Sequence, residues 1–388
     1  MRGLALLLSA LTSLVALDKK IEIGTEGIIY SEYHNEMVAK GKATINSKNS
    51  LFETYADIDF LYSSEYQDRR YILLNELYLS KEFDKYRVDV GKEIKYWGEL
   101  EGYNIADIYN PKNYLQDPFD KSAKYGVWGL NITEFYDENS LEFGVKLYEQ
   151  DIKLPQNRTP YAIAQPYSKE LKLSHNQETP TLYLKSNIVT DEDIDSESSI
   201  ILLHGYDNKR YFVPNPNQTL SQYAYRVNKT LLLSHILYRD TILKGEFAYT
   251  DVVDSSNMSD YMQFGLGVEK GIYGVLGYDI SLYGEYYRYI YQDNSKIEEV
   301  DISEIYDSDI FIATKINLNN TQSSEIKFGI LQDTKKEERV LKVEIKSRLW
   351  DSVMVNTEYL KVSTDKQNTV LGRLGDSSRL SFSIMRSF

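Results

Sequence analysis

From Leu51 onward, apolar and polar positions alternate with a period of two. In 141–149, Leu141, Phe143, Val145 and Leu147 take one face, and Glu142, Gly144, Lys146 and Tyr148 the other. In 323–332, Ile326, Phe328 and Ile330 oppose Glu325, Lys327 and Gly329. In 339–349, Leu341, Val343, Ile345 and Leu349 oppose Lys342, Glu344, Lys346 and Arg348. In 86–92, Tyr86, Val88 and Val90 oppose Arg87, Asp89 and Gly91. Successive side chains of a strand point to opposite faces, so each segment reads as a strand with one apolar and one charged face. The pattern predicts strands near 51–63, 71–81, 86–96, 125–136, 140–149, 180–190, 198–207, 222–238, 241–251, 261–271, 277–290, 306–318, 323–332, 339–349, 353–363 and 378–388. No helical period separates them.

Alternation alone also fits a soluble sandwich. Strand length and number decide between the two, because a tilted transmembrane strand needs about 9–11 residues. The expected fold is an all-β, antiparallel transmembrane barrel, with the charged face toward the lumen and the apolar face toward lipid. Connections alternate too. Those at 350–352, 239–240 and 136–139 are tight, while 97–124, 150–179, 208–221, 291–305 and 364–377 are long. Outer-membrane barrels have short periplasmic turns and long external loops. Counting back from the C-terminus puts every tight turn on the periplasmic side. Residues 17–50 then form either a periplasmic or lumen-plugging tail, giving sixteen strands, or two further strands, giving eighteen. Sixteen is the favoured count, with the barrel over 51–388.

At the N-terminus, Arg2 precedes an apolar run from Leu4 to Val15, then Ala16 and the charged Asp18-Lys19-Lys20. That is the layout of a cleaved export signal over residues 1–16. Loss of Arg2 would take the formal charge from −14 to −15. No other run is long and apolar enough for a membrane helix. The chain has no cysteine, so disulfides, thiolate nucleophiles and Cys-bearing metal sites are excluded. It has 34 tyrosines, whose apolar rings and polar tips suit a membrane–water boundary. The acidic balance argues against nucleic-acid binding, since no basic stripe exists to meet phosphates.

The stretch Gly91–Tyr114 breaks the rhythm. Trp97, Gly98, Gly102, Tyr103, Asp107, Tyr109, Asn110 and Pro111 crowd together in loop chemistry. A long aromatic loop inside a strand-rich chain is expected to be functional. Here it is expected to fold into the lumen and narrow it, with Trp97, Tyr103, Asp107, Tyr109, Asn110 and Pro111 at the constriction. Expected lumen charges are Arg87, Lys146, Lys244, Lys327, Lys342, Lys346 and Arg348, facing Asp89, Glu142, Glu246, Glu285, Glu325 and Glu344. Such a mixture gives a transverse field with weak ion selectivity. The acidic runs 191–195 and 298–301 lack the spacing of a calcium loop and read as solvated turns. No cofactor or metal is expected.

Two resemblances follow. Leu380, Phe382, Ile384 and the terminal Phe388 share a face. This is similar to the last strand of outer-membrane barrels, which marks a substrate of the barrel-assembly machinery, although Arg386 departs from that pattern. Gly91-Lys92, Trp97-Gly98 and Asp107-Ile108-Tyr109-Asn110-Pro111-Lys112-Asn113 resemble a motif of a porin-like family of outer-membrane barrels of largely unknown function. Lys92 and Asn113 stand at its variable positions. The spelling with Tyr96, Glu99 and Gly102 resembles that of porins of Campylobacter-like bacteria. The resemblance implies an integral outer-membrane protein in contact with lipid and lipopolysaccharide, and general porin behaviour implies a homotrimer. It names no solute.

An enzyme is the contrasting class. There is no G-x-S-x-G and no H-E-x-x-H. His235 follows Ser234, but strand neighbours point apart and cannot form a dyad. The expected function is passive or weakly selective diffusion of small hydrophilic solutes. An adhesin or structural barrel is the alternative, and an outer-membrane enzyme a more distant one.

Overall fold

The computed structural model describes residues 16–156, 159–162, 167–191, 194–255, 257–293, 305–365, 369–374 and 377–388. Residues 1–15, on which the export-signal reading rests, lie outside the described residues, as do 192–193 and 294–304 within and beside the two acidic runs. Eighteen strands form one closed antiparallel sheet. The first seven are β1 (Ala16–Tyr30), β2 (Glu36–Lys48), β3 (Glu53–Ser63), β4 (Arg70–Phe83), β5 (Tyr86–Glu93), β6 (Val127–Tyr136) and β7 (Asn139–Lys146). Two long loops carry three short strands of their own, β8 (Tyr167–Leu173), β11 (Tyr211–Pro214) and β12 (Leu220–Ala224). Between those loops run β9 (Thr181–Thr190) and β10 (Asp195–Tyr206). The wall continues with β13 (Arg226–Tyr238), β14 (Thr241–Val252), β15 (Tyr261–Val275), β16 (Tyr278–Tyr291), β17 (Ser308–Asn317), β18 (Glu325–Asp333), β19 (Arg339–Trp350), β20 (Val353–Ser363) and β21 (Arg379–Ser387). Each barrel strand pairs with its sequence neighbour, and β1 pairs with β21 to close the ring. Closure removes every sheet edge, as hydrocarbon surroundings require.

The count is eighteen, the alternative to the favoured sixteen, because residues 17–50 supply β1 and β2 rather than a tail. The period is present there but muted. Ile21, Ile23 and Ile29 face outward, while Glu22, Glu26, Lys40 and Lys42 line the interior. Glycine hides it at Gly41, whose place on the outer face is covered by the ring of Phe60: a Cβ there would lie 2.2 Å from that ring. The sixteen strands expected from the sequence are all present.

Outward positions form an apolar belt that includes Ile72 (82% exposed), Leu79, Val90, Phe143, Leu266 and Phe328. Burying so much apolar surface needs a lipid surround. At the short-turn end Phe83, Tyr86, Tyr136, Tyr238, Tyr273, Tyr278, Trp350 and Phe388 form an exposed aromatic girdle. Phe382, Ile384 and Phe388 lie on the outer face, and the Arg386 guanidinium sits 4.6 Å over the Phe388 ring. One bulge changes a face. Asp57 pairs with Glu76 and Ile58 with Leu74, so Asn75 is an extra residue in β4. Both Asn75 and Glu76 then reach inward, Asn75 to Asp59 and Glu76 to the Ile94 amide.

Candidate functional site

The loop 94–126 leaves the wall after β5 and crosses the interior before returning at β6. Asn110 ties its two ends together. Its side-chain oxygen accepts from the Lys95 amide at 2.7 Å, and its NH2 group donates to the carbonyls of Glu93 and Tyr125 at 3.0 Å each. Pro111 accepts from the Tyr125 amide at 2.9 Å. Trp97, 3% exposed, packs between Tyr109 and Tyr183 with ring centroids 5.4 and 5.0 Å away. Asp107 pairs with Lys124 and accepts from the Trp97 amide. Burial raises the Asp107 carboxyl above its ordinary value and lowers the Lys124 ammonium, each opposed by the partner's charge.

Wall carboxylates hold the far side of the loop. Glu246 accepts from the amides of Glu99, Leu100 and Ala106 at 2.6, 3.0 and 2.9 Å. Glu285 accepts from Glu101 and Gly102 at 2.6 and 2.8 Å, and the Tyr287 hydroxyl accepts from Tyr103 at 2.9 Å. A buried amide left without its acceptor costs about 1–3 kcal/mol, so six such bonds make a fixed attachment. Leu100 fits a notch on β15: a Cβ at Gly265 or Gly267 would lie 2.4 or 2.8 Å from its methyls. Tyr103 stacks on Tyr306 at 4.5 Å, and Glu101 pairs with Lys327 on β18. Burial disfavours the charge on Glu101, but Lys121 and Lys327 outweigh it and hold its carboxyl below the ordinary value. Farther along, Asp117 pairs with Arg379 of β21 at 2.6 Å, and the Gln116 carbonyl accepts from Arg69 at 3.0 Å.

Of the expected constriction residues, Trp97, Tyr109, Asn110 and Pro111 are buried inside the loop and Asp107 is held by Lys124. They shape the narrowing from behind, and Tyr103 is only partly buried. The surface that faces open space is a cavity of about 700 Å³ between this loop and the wall of β1–β3 and β17–β21. Lys342, Glu344 and Lys346 line it, as expected of lumen charges. So do Glu101, Asp117, Asp120 and Lys121 from the loop, and Arg69, Lys327, Glu358 and Arg379 around it.

Among the described residues its basic side chains are all paired. Lys40 meets Glu26 at 2.8 Å, Lys42 meets Asp57 at 2.6 Å and Arg69 meets Glu36 at 3.3 Å. Lys342 and Arg379 share Glu358 at 2.9 and 2.8 Å, and Lys346 meets Glu344 at 3.0 Å. Lys121 and Lys327 share Glu101.

The other expected charges lie elsewhere on the inner wall. Glu142 pairs with Lys95 at the loop root at 2.5 Å, Arg87 with Asp89 at 2.9 Å and Lys244 with Glu269 at 2.7 Å. Glu325 pairs with Lys315 at 3.0 Å. Lys146 is buried with Glu149 and Arg210 under the long loops, and Arg348 is exposed at the turn end of β19. His235 meets Glu99 at 2.9 Å, while Ser234 on the opposite face meets Ser198 at 2.8 Å. Asp307, Asp309 and Asp333 bring carboxylate oxygens within 4.8 Å of one another, with Lys336 already 2.9 Å from Asp307.

Arg69, Arg379 and the loop acids went unnoticed in the sequence. Arg69 sits outside any alternating run, and Arg379 falls at the first position of β21. Glu22, Glu26, Lys40 and Lys42 were findable from the muted alternation of β1 and β2.

No family model matches the chain, and no curated protein matches it. Solved structures do. OccK5 (OpdH) of Pseudomonas aeruginosa aligns over 97% of this chain and 98% of that one, at 8% identity and a TM-score of 0.56. OccD3 (OpdP) of the same organism aligns over 97% and 91%, at 10% identity and 0.54. Wzi of Escherichia coli, an outer-membrane protein involved in group 1 capsule assembly and a carbohydrate-binding β-barrel, aligns over 99% and 87%, at 9% identity and 0.57. At these identities the likeness is one of fold. Together with the closed sheet and the apolar outer belt, it gives this chain the fold of a transmembrane β-barrel.

Proposed function

We propose that the protein is a channel for passive, weakly selective diffusion of small hydrophilic solutes, with no catalytic role. One observation carries the reading. An inward loop, fixed to the far wall by Glu246 and Glu285, leaves a charged cavity along the β1–β21 seam instead of filling the whole interior. An eighteen-stranded barrel is wide enough for an aqueous lumen. The balance of acidic and basic lining groups supports weak ion preference, since opposite charges cancel over a short distance. The resemblance of 91–113 to porin-like outer-membrane barrels agrees with this reading. Export through a signal in residues 1–16 belongs to it too, and N-terminal sequencing of the purified protein checks that step.

Single-channel recording of the purified protein in a planar bilayer tests the proposal. Steady steps that scale with salt concentration are expected. A folded, heat-modifiable barrel that passes no current would overturn the channel reading and favour a structural or adhesive barrel.

A further inference from the structure

We infer that the cavity along the β1–β21 seam is built for neutral, polyhydroxylated solutes of sugar type in preference to ions. This rests on the channel reading above.

Among the described residues, each basic side chain that lines the cavity already has a carboxylate within ion-pair distance, contributed by the wall or by the inward loop. A free anion entering this space has to take a cation from its partner. A free cation meets the same obstacle at Glu26, Glu101, Glu344 and Glu358, which already hold basic partners, while Asp59 and Asp120 accept hydrogen bonds from Asn75 and Ser122. Either exchange leaves one charge poorly compensated in a confined setting, where such loss is costly. A neutral polyol avoids it. An ammonium offers three N–H donors and a carboxylate about four lone-pair sites, so each ion pair keeps donors and acceptors to spare. A hydroxyl donates and accepts at once, and can use both members of a pair without separating them.

Aromatic rings complete the lining. Tyr71 on β4, Phe119 on the loop and Phe311 on β17 border the cavity and are only partly buried. Their faces suit the C–H surface of a sugar ring, while the paired charges meet its hydroxyls. The two kinds of surface are close to balanced, since Ile28, Leu61, Leu331 and Leu360 also border the space. The volume, about 700 Å³, lies within the usual range for small-molecule sites.

The test is current block in planar bilayers by solutes of one size and three charges: glucose, gluconate and glucosamine, with maltose as a larger neutral probe. Glucose and maltose are expected to block in a saturable way, at concentrations about tenfold below those needed for gluconate or glucosamine. Phe119→Leu keeps the bulk of the side chain and removes the ring. It is expected to weaken the neutral-sugar block by about threefold to tenfold, the range an aromatic contact supplies. Three outcomes overturn the inference while leaving the channel reading intact: stronger block by gluconate, stronger block by glucosamine, or sugar effects no larger than bulk viscosity predicts. A folded barrel without current overturns both.

Discussion

Between β6 and β16 the described residues pack the inward loop against the wall in one buried core, whereas from β17 through the β1–β21 seam to β3 the barrel encloses the cavity. On the packed side Trp97, Tyr109 and Tyr183 come together, and Tyr211 of β11 joins the same buried core. Ion pairs serve both sides, in different settings. Lys229 and Asp207 meet at 2.9 Å with side chains 1% and 0% exposed, and the hydroxyls of Tyr225 and Tyr261 donate to the same carboxylate. Lys346 and Glu344 meet at 3.0 Å at the cavity, with the lysine side chain 44% exposed. A buried pair is costly to break, because the survivor stays desolvated; a hydrated pair contributes little. The comparison teaches that one motif, a lysine–carboxylate pair, fixes a loop root where it is dry and lines a cavity where it is wet.

The largest effect is expected from Glu246→Leu combined with Glu285→Leu. Five loop amides lose their carboxyl acceptors, and a buried amide left unpaired costs about 1–3 kcal/mol. The loop should leave the wall, and single-channel conductance should rise severalfold with added noise. An unchanged conductance would mean that the loop does not set the passage.

Asp207→Ala probes the packed side. It strands Lys229 and should cost about 3–5 kcal/mol, read as a lower temperature for the gel-mobility shift of the barrel. Conductance of the folded fraction should stay as it was. A conductance change of the size produced by the Glu246/Glu285 pair would erase the distinction between the sides.

Acid should act on the cavity side through Glu101. Its folded-state value is depressed, so the stability it contributes is complete above its ordinary value of 4.5 and is lost as pH falls through the folded value. Its pairs with Lys327 and Lys121 should therefore weaken as pH falls below the ordinary carboxylate range. Current noise should increase there and recover on return to neutral pH. Glu101→Gln should show that noise already at pH 7; a pH response equal to the unmodified protein's would assign the effect to another group.

The smallest effect is expected from Glu344→Gln. Lys346 loses its partner, and the reversal potential in a salt gradient should move modestly toward anions. A shift toward cations would contradict the placement of this pair on the passage.

Much of the wall was legible in the sequence because strand alternation is local. Val90 against Asp89, or Phe143 against Glu142, declares its face within two residues. The same logic underrated β1 and β2, where Gly41 stands in an outward slot and its cover comes from Phe60, a neighbour in space. It also missed the bulge at Asn75, since a bulge is a mismatch between two strands and belongs to neither alone. Glu246 and Glu285 were readable as lumen charges. Their work as acceptors for the loop amides was not, because the donors lie more than a hundred residues away in sequence.

By itself, then, the sequence determined a barrel with an apolar outside, a charged inside and one exceptional loop, since period, segment length and turn chemistry act over a few residues. Only the tertiary structure decided that there are eighteen strands, that Trp97 and Tyr109 are buried supports, and that the cavity runs along the seam of first and last strands. Those outcomes depend on ring closure, which joins β1 to β21, and on packing across the lumen, where contacts form between residues that no local pattern links.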